Sequence, residues 1–358
     1  MPHPHSAAVA EIAREVRKIY KDNGRRAAMR HAMEASGELL RTPTNAMRFD
    51  ISKNVFKLFT GYQPSDFECV DYDQYDLVEG LPLFRGPPVP EDALERGDYF
   101  CVFGAAQTFG RLARDPWPRL LSEAIDLPVL NISRGAAGPE FFLDPRLIEY
   151  ARKARFLVVQ VMSGRSVGCE DYPGGRFIKR DGQATKVERW DVLKEMWGRD
   201  PAIALSYVQK WNRNYLALYA KLQELINRPT MLLWISERDP EGWNPNTLLK
   251  YLSRGSFPQL VGQSLYKDVS DVFDEHLEIV TGKFSEKLSS RITGDPCPYV
   301  SPGKPLIWDQ EYYPTNEQHA RIAEALTPWA RGVRDRSPAA TLSAGRGLLS
   351  STRAGGGI

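Results

Sequence analysis

The sequence predicts an α/β protein in which helices cover both faces of a parallel sheet of about five strands. Two observations predict this class. Short apolar runs, typical of strands buried on both faces, alternate along the chain with longer segments of helical periodicity. The chain has 358 residues, 42% of them apolar and 26% charged, so it can bury the core of one large α/β domain and still carry extensions.

Five apolar runs predict the strands. In chain order they are YFCVFGA, PVLNIS, RFLVVQVMSG, TMLLWISE and LEIVTG, which begin at residues 99, 128, 155, 230 and 277. The segments between and after them predict helices over residues 111–125, 145–154, 203–226 and 316–332.

The remaining segments predict extensions around this domain. Charged helical periodicity before residue 41 predicts an N-terminal arm, and a stretch rich in Tyr, Asp and Pro predicts an irregular segment that wraps the domain. The small, polar, glycine-rich end of the chain predicts disorder. We therefore expect an extension over 1–97, an α/β domain over 98–334 with an insertion near 168–200, and a disordered tail over 335–358.

The turn after the first strand is the first candidate site, because parallel sheets bind ligands beyond the carboxyl ends of their strands. It offers Gly104, Gln107 and Thr108, and backbone amides at a helix start can stabilise a phosphate or an oxyanion. The P-loop pattern is not met, because five residues separate Gly104 from Gly110 and Arg111 follows. A tight turn with small residues for close packing explains this segment equally well.

Two further strand ends carry candidate binding residues. Gly135 and Gly138 indicate a sharp turn or a close approach to a ligand, and Asn131 either contacts that ligand or caps the turn. Arginines after a buried strand can bind a carboxylate, phosphate or sulfate, although a surface salt bridge is their commoner role. The candidates at these two strand ends are Asn131, Arg134, Gly135, Gly138, Ser163, Arg165 and Ser166.

His319 is the candidate general base. It lies at the start of the last predicted helix, after the last strand-like segment, whereas the other four histidines lie elsewhere in the chain. A capping or packing role is the alternative.

These segments resemble the SGNH (GDSL-like) hydrolase superfamily over roughly residues 98–332. GAAQTFG, from Gly104 to Gly110, aligns with the first block G-D-S-x-T-x-G, and Gly135 or Gly138 matches the glycine of the second block. NEQHARIAEAL aligns with the last block, D-x-x-H and its helix, with His319 as the histidine. The resemblance implies a flavodoxin-like, three-layer α/β/α domain with about five parallel strands.

The chain departs from the family pattern at the residues that perform the chemistry. Ala106 stands where the nucleophilic serine belongs, and a methyl group cannot attack a carbonyl. Asn316 replaces the aspartate that orients the histidine, and residues 162–166 replace the G-x-N-D block. Serine-esterase chemistry by the family's route is therefore not expected.

The resemblance instead implies acyl-type group transfer onto a carbohydrate or another hydroxyl acceptor, as in relatives that modify bacterial surface polysaccharides or glycoconjugates. His319 would act as base on the acceptor, while Gln107, Arg165 and the loop amides would hold the donor, for which an acyl-coenzyme A is the candidate. Thr108 and Ser163 are the candidate catalytic hydroxyls. The alternatives are a non-catalytic SGNH-like protein that binds a glycan or partner, and a sulfuryl transferase, which fits the arginines but lacks a phosphate loop.

Composition limits partners and location. The 47 basic and 45 acidic residues give a formal net charge of +2, which argues against a general nucleic-acid binder. No apolar run approaches the roughly 18 residues of a membrane span, and no secretory signal is evident, so we expect a cytoplasmic protein. Scattered cysteines predict neither a disulfide framework nor a metal site. They are Cys69, Cys101, Cys169 and Cys297.

Overall fold

The computed structural model describes most of the α/β domain. The described residues are 69–168, 177–179, 186–242, 256–291, 293–297 and 309–336, together with scattered positions between 11 and 66. Most of the predicted N-terminal arm, and the predicted tail from residue 337 onward, lie outside these ranges. The domain boundaries proposed above stay predictions.

Helices and strands alternate through the described ranges. The helices are α1 Glu91–Arg96, α2 Ala106–Phe109, α3 Trp117–Ile125, α4 Pro145–Lys153, α5 Arg189–Arg199, α6 Pro201–Ile226, α7 Gln263–Ser270 and α8 Asn316–Arg336. The strands are β1 Phe100–Phe103, β2 Val129–Asn131, β3 Leu157–Gln160, β4 Phe177–Lys179, β5 Lys186–Glu188, β6 Thr230–Ser236, β7 Glu275–Val280, β8 Glu286–Lys287 and β9 Asp309–Gln310.

The main sheet has five strands in the order β2-β1-β3-β6-β7, and all its neighbouring strands are parallel. Numbered along the chain within this sheet, the order is 2-1-3-4-5, which is the flavodoxin-like arrangement. The predicted fold class is therefore confirmed. Each of its strands lies within, or overlaps, one of the five predicted apolar runs.

Alternation along the strands divides the core into two layers. Cys101 and Phe103 of β1 pack on one face of the sheet, with apolar residues of α4, α6 and α7. Phe100 and Val102 pack on the opposite face, with α3 and α8. Successive side chains of a strand point to opposite faces, so a fully apolar strand such as β1 requires helices on both sides.

Helix α6 covers the sheet with one apolar face. Its buried residues recur at intervals of three and four, as expected for an amphipathic helix. They are Ala204, Val208, Trp211, Tyr215, Tyr219, Leu222 and Ile226. Although α6 has 26 residues, neither it nor any other helix in the described ranges is long and apolar enough to cross a membrane.

Helix α3 starts later than the periodicity predicts. The sequence predicts a helix over residues 111–125 with an early interruption by proline, and α3 begins after that interruption, at Trp117. Pro116 disfavours helical backbone at the residue before it, so the helix cannot start earlier. Pro118 is tolerated because it lies in the first turn of α3, where a backbone N–H would have no partner within the helix. The delay leaves residues 110–116 as a loop between α2 and α3.

The segment before β1 is fastened to that loop by a buried arginine. Arg85 is 3% exposed, and its guanidinium donates hydrogen bonds to the carbonyls of Gly110, Ala113 and Arg114 at 2.7, 2.9 and 3.1 Å. The same guanidinium lies over the ring of Tyr72, 4.9 Å from its centroid. Part of the predicted wrapping segment thus supplies hydrogen-bond donors that the loop lacks.

An ion pair adds a second attachment. The buried carboxylate of Asp66 accepts from Nε of Arg111 at 2.7 Å, and Arg111 also donates to the hydroxyl of Tyr313 at 2.7 Å. Residues before β1, after α2 and before α8 are therefore joined by one largely buried group of side chains.

Candidate functional site at the carboxyl ends of β1 and β3

The strand order places a switch point between β1 and β3. From β1 the chain first continues to β2 on one side and then returns to β3 on the other. Ligands of open α/β sheets bind where the order reverses, outside the carboxyl ends of the strands. The turns after β1 and β3 therefore form the candidate site.

The Gln160 side chain connects these two turns. Its Oε1 accepts hydrogen bonds from the backbone N–H of Ala105 at 2.9 Å and from the hydroxyl of Thr108 at 2.8 Å. A Cβ added to Gly104 would lie 2.6 Å from Oγ1 of Thr108 and 2.7 Å from Oε1 of Gln160. Glycine is required here because this hydrogen-bonded group leaves no room for a side chain.

Two tyrosines of α6 hold the end of β3. The Tyr219 hydroxyl donates to the Gln160 carbonyl at 2.9 Å and accepts from the Met162 amide at 2.8 Å, while the Tyr215 hydroxyl donates to the Met162 carbonyl at 2.6 Å. Burial is the main cause that raises the pKa of both phenols above their ordinary value, so they stay protonated and neutral.

The turn after β2 supports the turn after β1. Asn131 donates from Nδ2 to the Thr108 carbonyl at 3.3 Å, and its Oδ1 accepts from the Ser133 amide at 3.1 Å. The Arg134 amide donates to the Gly104 carbonyl at 3.0 Å, and the Arg134 guanidinium lies over the ring of Phe141, 5.5 Å from its centroid. The sequence left two roles open for Asn131, ligand contact or capping of the turn, and these two hydrogen bonds are those of a turn cap.

Close packing fixes the turn after β3. A Cβ on Gly138 would lie 2.7 Å from the carbonyl oxygen of Ser166, whereas Gly135, earlier in the same loop, is only half-buried. Ser166 is buried, and its amide donates to the Ser163 carbonyl at 3.0 Å. The Arg165 guanidinium donates to the Tyr312 hydroxyl at 3.4 Å. Among the predicted binding residues, Gly138 and Ser166 are therefore neighbours.

Three buried polar atoms at the carboxyl ends of β1 and β3 have no hydrogen-bond partner among the described residues. They are Oε1 of Gln107, Nε2 of Gln160 and Oγ of Ser163. A buried polar atom without a partner costs about 1–3 kcal/mol, and such atoms in native proteins commonly receive water or a ligand. These atoms comprise an acceptor, a donor and a hydroxyl, and all three side chains are uncharged.

His319 lies wholly inside the protein. Its Nδ1 accepts a hydrogen bond from the backbone N–H of Trp117 at 3.1 Å, and its Nε2 has no partner in the described part of the chain. Burial, with a smaller effect from the charge of Arg85, lowers the pKa of His319 from 6.5 to about 3. The imidazole is therefore neutral at pH 7.

This geometry does not provide the general base that the sequence predicts. Because Nδ1 accepts a backbone N–H, the proton of the neutral ring is assigned to Nε2. In a triad the tautomer is the reverse, since the orienting acid takes Nδ1–H and leaves Nε2 free to accept a proton. His319 in this state can donate a hydrogen bond from Nε2.

Asn316 does not orient His319. Its Oδ1 accepts from the Arg114 amide at 2.9 Å, and its Nδ2 donates to Glu286 at 2.7 Å. The side chain that aligns with the family's aspartate therefore joins the loop before α3 to β8.

The structure also contains site residues that sequence reasoning missed. Gln160 is a lone polar residue in an apolar run, which is a signal that could have identified it. Gln259 donates from Nε2 to Tyr312 at 2.8 Å, and its carbonyl accepts from the Gly164 amide at 2.8 Å. It directly follows none of the strands that the structure describes and none of the predicted apolar runs, so position in the chain gives no reason to select it.

Comparison with family models gives one match. The model of a domain of unknown function, DUF6473, matches residues 61–172, which is less than half of the chain. The matched range includes the wrapping segment and the first three strands. Comparison with curated proteins gives no match.

Solved structures with a similar fold include hydrolases of low identity. A lipase from a goat rumen metagenome is 12% identical, with 66% of this chain and 97% of the lipase covered and a TM-score of 0.34. A phospholipase A1 from Streptomyces albidoflavus is 11% identical, with 64% and 98% covered and a TM-score of 0.35. A carbohydrate esterase family 2 enzyme from Corynascus thermopiles (Myceliophthora fergusii) is 10% identical, with 70% and 69% covered and a TM-score of 0.34. At these values the likenesses support no statement about activity, and the fold assignment rests on the sheet order.

We expect Gly104→Ala to destabilise the protein, because its Cβ must displace Thr108 or Gln160. Overpacking of a close-packed site costs about 1–3 kcal/mol. Gly198→Ala is the matched control, because a Cβ there meets nothing within 4 Å and alanine is the better helix former. Urea denaturation should show a loss for the first variant and a small gain for the second. Equal stabilities would contradict the close packing at Gly104.

We expect His319 to make the protein sensitive to acid. The folded-state pKa of about 3 lies below the ordinary 6.5, so the unfolded chain binds a proton that the folded chain excludes. The stability from this group is complete above about pH 6.5 and declines as the pH falls, by about 1.4 kcal/mol per pH unit.

His319→Asn tests this expectation, because Oδ1 of asparagine can accept the Trp117 N–H without titrating. Between pH 6.5 and 5, wild type should lose about 2 kcal/mol more of its unfolding free energy than the variant. The measurement is urea denaturation at each pH. Parallel curves for the two proteins would show that His319 titrates normally.

Proposed function

We propose that the turns after β1 and β3 bind a carbohydrate or another uncharged, hydroxyl-bearing molecule, and that the protein uses this site for acyl-type group transfer onto that hydroxyl. The proposal includes an acyl-coenzyme A as donor, the modification of a surface polysaccharide or glycoconjugate as the process, and the cytoplasmic location expected from the sequence.

The three unpartnered atoms carry the proposal. Sugar hydroxyls both donate and accept, so different hydroxyls of one ligand can satisfy the acceptor on Gln107, the donor on Gln160 and the hydroxyl of Ser163. An anionic ligand would leave the Gln107 carbonyl facing negative charge. The three atoms therefore favour the neutral acceptor, and the phosphates of the coenzyme A donor would have to lie away from them.

The proposed transfer uses no covalent enzyme intermediate. Ala106 offers no nucleophile, the Thr108 hydroxyl donates to Gln160, and the Ser163 hydroxyl is assigned to binding the acceptor. The acceptor oxygen would form a bond to the acyl carbon of the thioester, and the carbon–sulfur bond would break. The acceptor's proton would end on the departing thiol. The rate acceleration would come from holding the acceptor oxygen against the thioester carbon, since well-oriented intramolecular reactions reach effective molarities of about 10⁵ M or more.

His319 has a different role in this proposal from the one that the sequence predicts. Its Nε2–H would donate to a bound oxygen, rather than accept a proton from the acceptor. Arg134 or Arg165 would neutralise the negative charge that develops on the leaving group. Each already contacts an aromatic side chain, Phe141 and Tyr312 respectively.

A non-catalytic binding function is the second candidate. One observation favours it. Among the described residues, no serine, threonine or acid side chain hydrogen-bonds to the His319 imidazole, whose one hydrogen bond there is from the Trp117 amide. A protein that only binds a glycan needs the neutral polar atoms but no proton acceptor.

The binding part is tested with Gln107→Leu and Ser163→Ala. Each variant removes an unpartnered buried atom, so folding stability should stay equal or rise, while affinity for a neutral oligosaccharide falls about fivefold to tenfold. Gln223→Leu is the matched control, because its Oε1 is also buried without a partner but lies near the end of α6, whose last residue is Ile226. Calorimetric titration with a set of neutral oligosaccharides measures the affinity. Unchanged binding in both site variants would refute the assigned site.

The transfer part is tested by incubating the full chain with acetyl-coenzyme A and each oligosaccharide that binds. Mass spectrometry should detect the acetylated sugar and free thiol in equal amounts. Oligosaccharide binding without any transfer, from acetyl-coenzyme A or from a nucleotide sulfate donor, would leave the non-catalytic function as the one supported.

We expect Ala106→Ser not to create an esterase. The new hydroxyl would lack a base, because His319 is buried with Nδ1 bonded and the proton on Nε2. Hydrolysis of p-nitrophenyl acetate by the variant should equal that of wild type, and a fluorophosphonate probe should label neither protein. Rapid hydrolysis by the variant would show that the family's catalytic geometry persists.

A further inference from the structure

Two adjacent tyrosines before helix α8 connect the end of α2 with the turn after β3. The hydroxyl of Tyr313 accepts a hydrogen bond from Arg111, just after α2, at 2.7 Å. The hydroxyl of Tyr312 accepts one from Arg165, in the turn after β3, at 3.4 Å. The two rings are perpendicular, with their centroids 5.0 Å apart. The two phenols therefore point to different parts of the candidate site's surroundings.

A buried amide fixes the direction of both tyrosines. Gln310 is 3% exposed, and its Oε1 accepts hydrogen bonds from the backbone amides of Tyr312 and Tyr313 at 3.2 and 2.9 Å. Its Nε2 donates to the Tyr313 carbonyl at 2.7 Å. Because these bonds hold the backbone in place, a contact made by either phenol to a ligand is organised before the ligand arrives.

The Tyr312 oxygen lies beside the turn that carries Ser163. Gln259 donates to this oxygen from Nε2 at 2.8 Å, and the Gln259 carbonyl accepts from the Gly164 amide at 2.8 Å. Gly164 follows directly after Ser163, whose buried hydroxyl is one of the three unpartnered groups of the site. The Tyr312 side chain is only half-buried, so a ligand that contacts this turn can also reach the phenol.

The partners of the Tyr312 hydroxyl leave its proton unused. A phenol oxygen accepts hydrogen bonds and donates one. The guanidinium of Arg165 and the amide nitrogen of Gln259 are both donors, so neither takes the Tyr312 proton. In the part of the chain that the structure describes, this hydroxyl has no acceptor. Tyr312 therefore offers a ligand a hydrogen-bond donor.

We propose that Tyr312 is a specificity-determining residue of the site, and that its O–H donates a hydrogen bond to an oxygen atom of the bound ligand. This inference rests on the proposed binding of a neutral, hydroxyl-bearing molecule by the turns after β1 and β3. Contacts with both Ser163 and Tyr312 require at least two ligand oxygens, so the site selects a polyhydroxylated ligand, such as a sugar, over a simple alcohol.

The test is calorimetric titration of the full chain with cellobiose, maltose and N,N′-diacetylchitobiose. Tyr312→Phe should weaken the binding of each sugar that wild type binds by about fivefold, because one hydrogen bond to the ligand is lost. Tyr313→Phe is the matched control, because it makes the same change at the next residue and also removes an oxygen that accepts from an arginine.

The melting temperature separates a binding role from a structural one. Both variants deprive an arginine of an acceptor, so both should melt at slightly and similarly lower temperatures. Only Tyr312→Phe should lose affinity. Unchanged affinity in Tyr312→Phe, or an equal loss of affinity in Tyr313→Phe, would overturn the proposal.

Gln259→Glu tests whether the Tyr312 proton is free. The new carboxylate has no N–H and would accept from the phenol, which removes the donor from the ligand without changing Tyr312 itself. Sugar affinity should fall as far as in Tyr312→Phe, and combining the two changes should cause no further loss. Unchanged affinity in Gln259→Glu would show that the proton is already used inside the protein and would refute the contact.

The failure of this inference can be told apart from the failure of the proposed function. If wild type binds none of the three sugars, the proposed binding is contradicted, and the role of Tyr312 with it. If Gln107→Leu weakens sugar binding while Tyr312→Phe retains full affinity, the site stands and only the Tyr312 contact is refuted.

Discussion

The arrangement of the site depends on one amide oxygen, Oε1 of Gln160. It binds both the amide that starts the turn after β1 and the hydroxyl of Thr108, and it thereby joins two neighbouring parallel strands at their carboxyl ends. Its position is secured from the other side, because Tyr219 bonds the backbone of the same residue. The lack of space at Gly104 and the unpartnered Nε2 of Gln160 both follow from this position. The amide cannot turn over without losing two buried hydrogen bonds.

The fold could be predicted from the sequence because the strands are short apolar runs separated by helical segments. A strand such as β1, buried on both faces, is an unbroken apolar run, and this pattern can be read from the sequence without knowing what the strand packs against. The start of α3 shows the limit of this reasoning, since two prolines decide whether helical periodicity becomes a helix. Arg85 could not be selected at all, because its role is set by three carbonyls that lie 25 to 29 residues away in the chain.

The candidate site could be predicted only in part. Strand-end position places Gly104, Gln107, Thr108, Gly138 and Ser166 at the carboxyl edge of the sheet, and their roles there stay predictions. The contacts of Gly104 with Gln160 and of Gly138 with Ser166 join distant parts of the chain, so nothing in the sequence indicates them. The chemistry of His319 was not predictable from its motif, because the role of an imidazole depends on which nitrogen holds the proton. That is decided by the Trp117 amide, about 200 residues away along the chain. Alignment to a family pattern gives the location of a histidine but not its tautomer.

The attachment of Arg85 and Asp66 bears on where an independently folding unit begins. The carbonyls of Gly110, Ala113 and Arg114 take their donors from a residue that precedes the first strand of the sheet, and Arg111 takes its counter-ion from one that comes still earlier. A fragment cut just ahead of β1 would keep the whole parallel sheet. It would nevertheless present a loop with bare carbonyls and an uncompensated guanidinium, beside the helix that carries His319. The shortest fragment that preserves this loop therefore has to include Asp66.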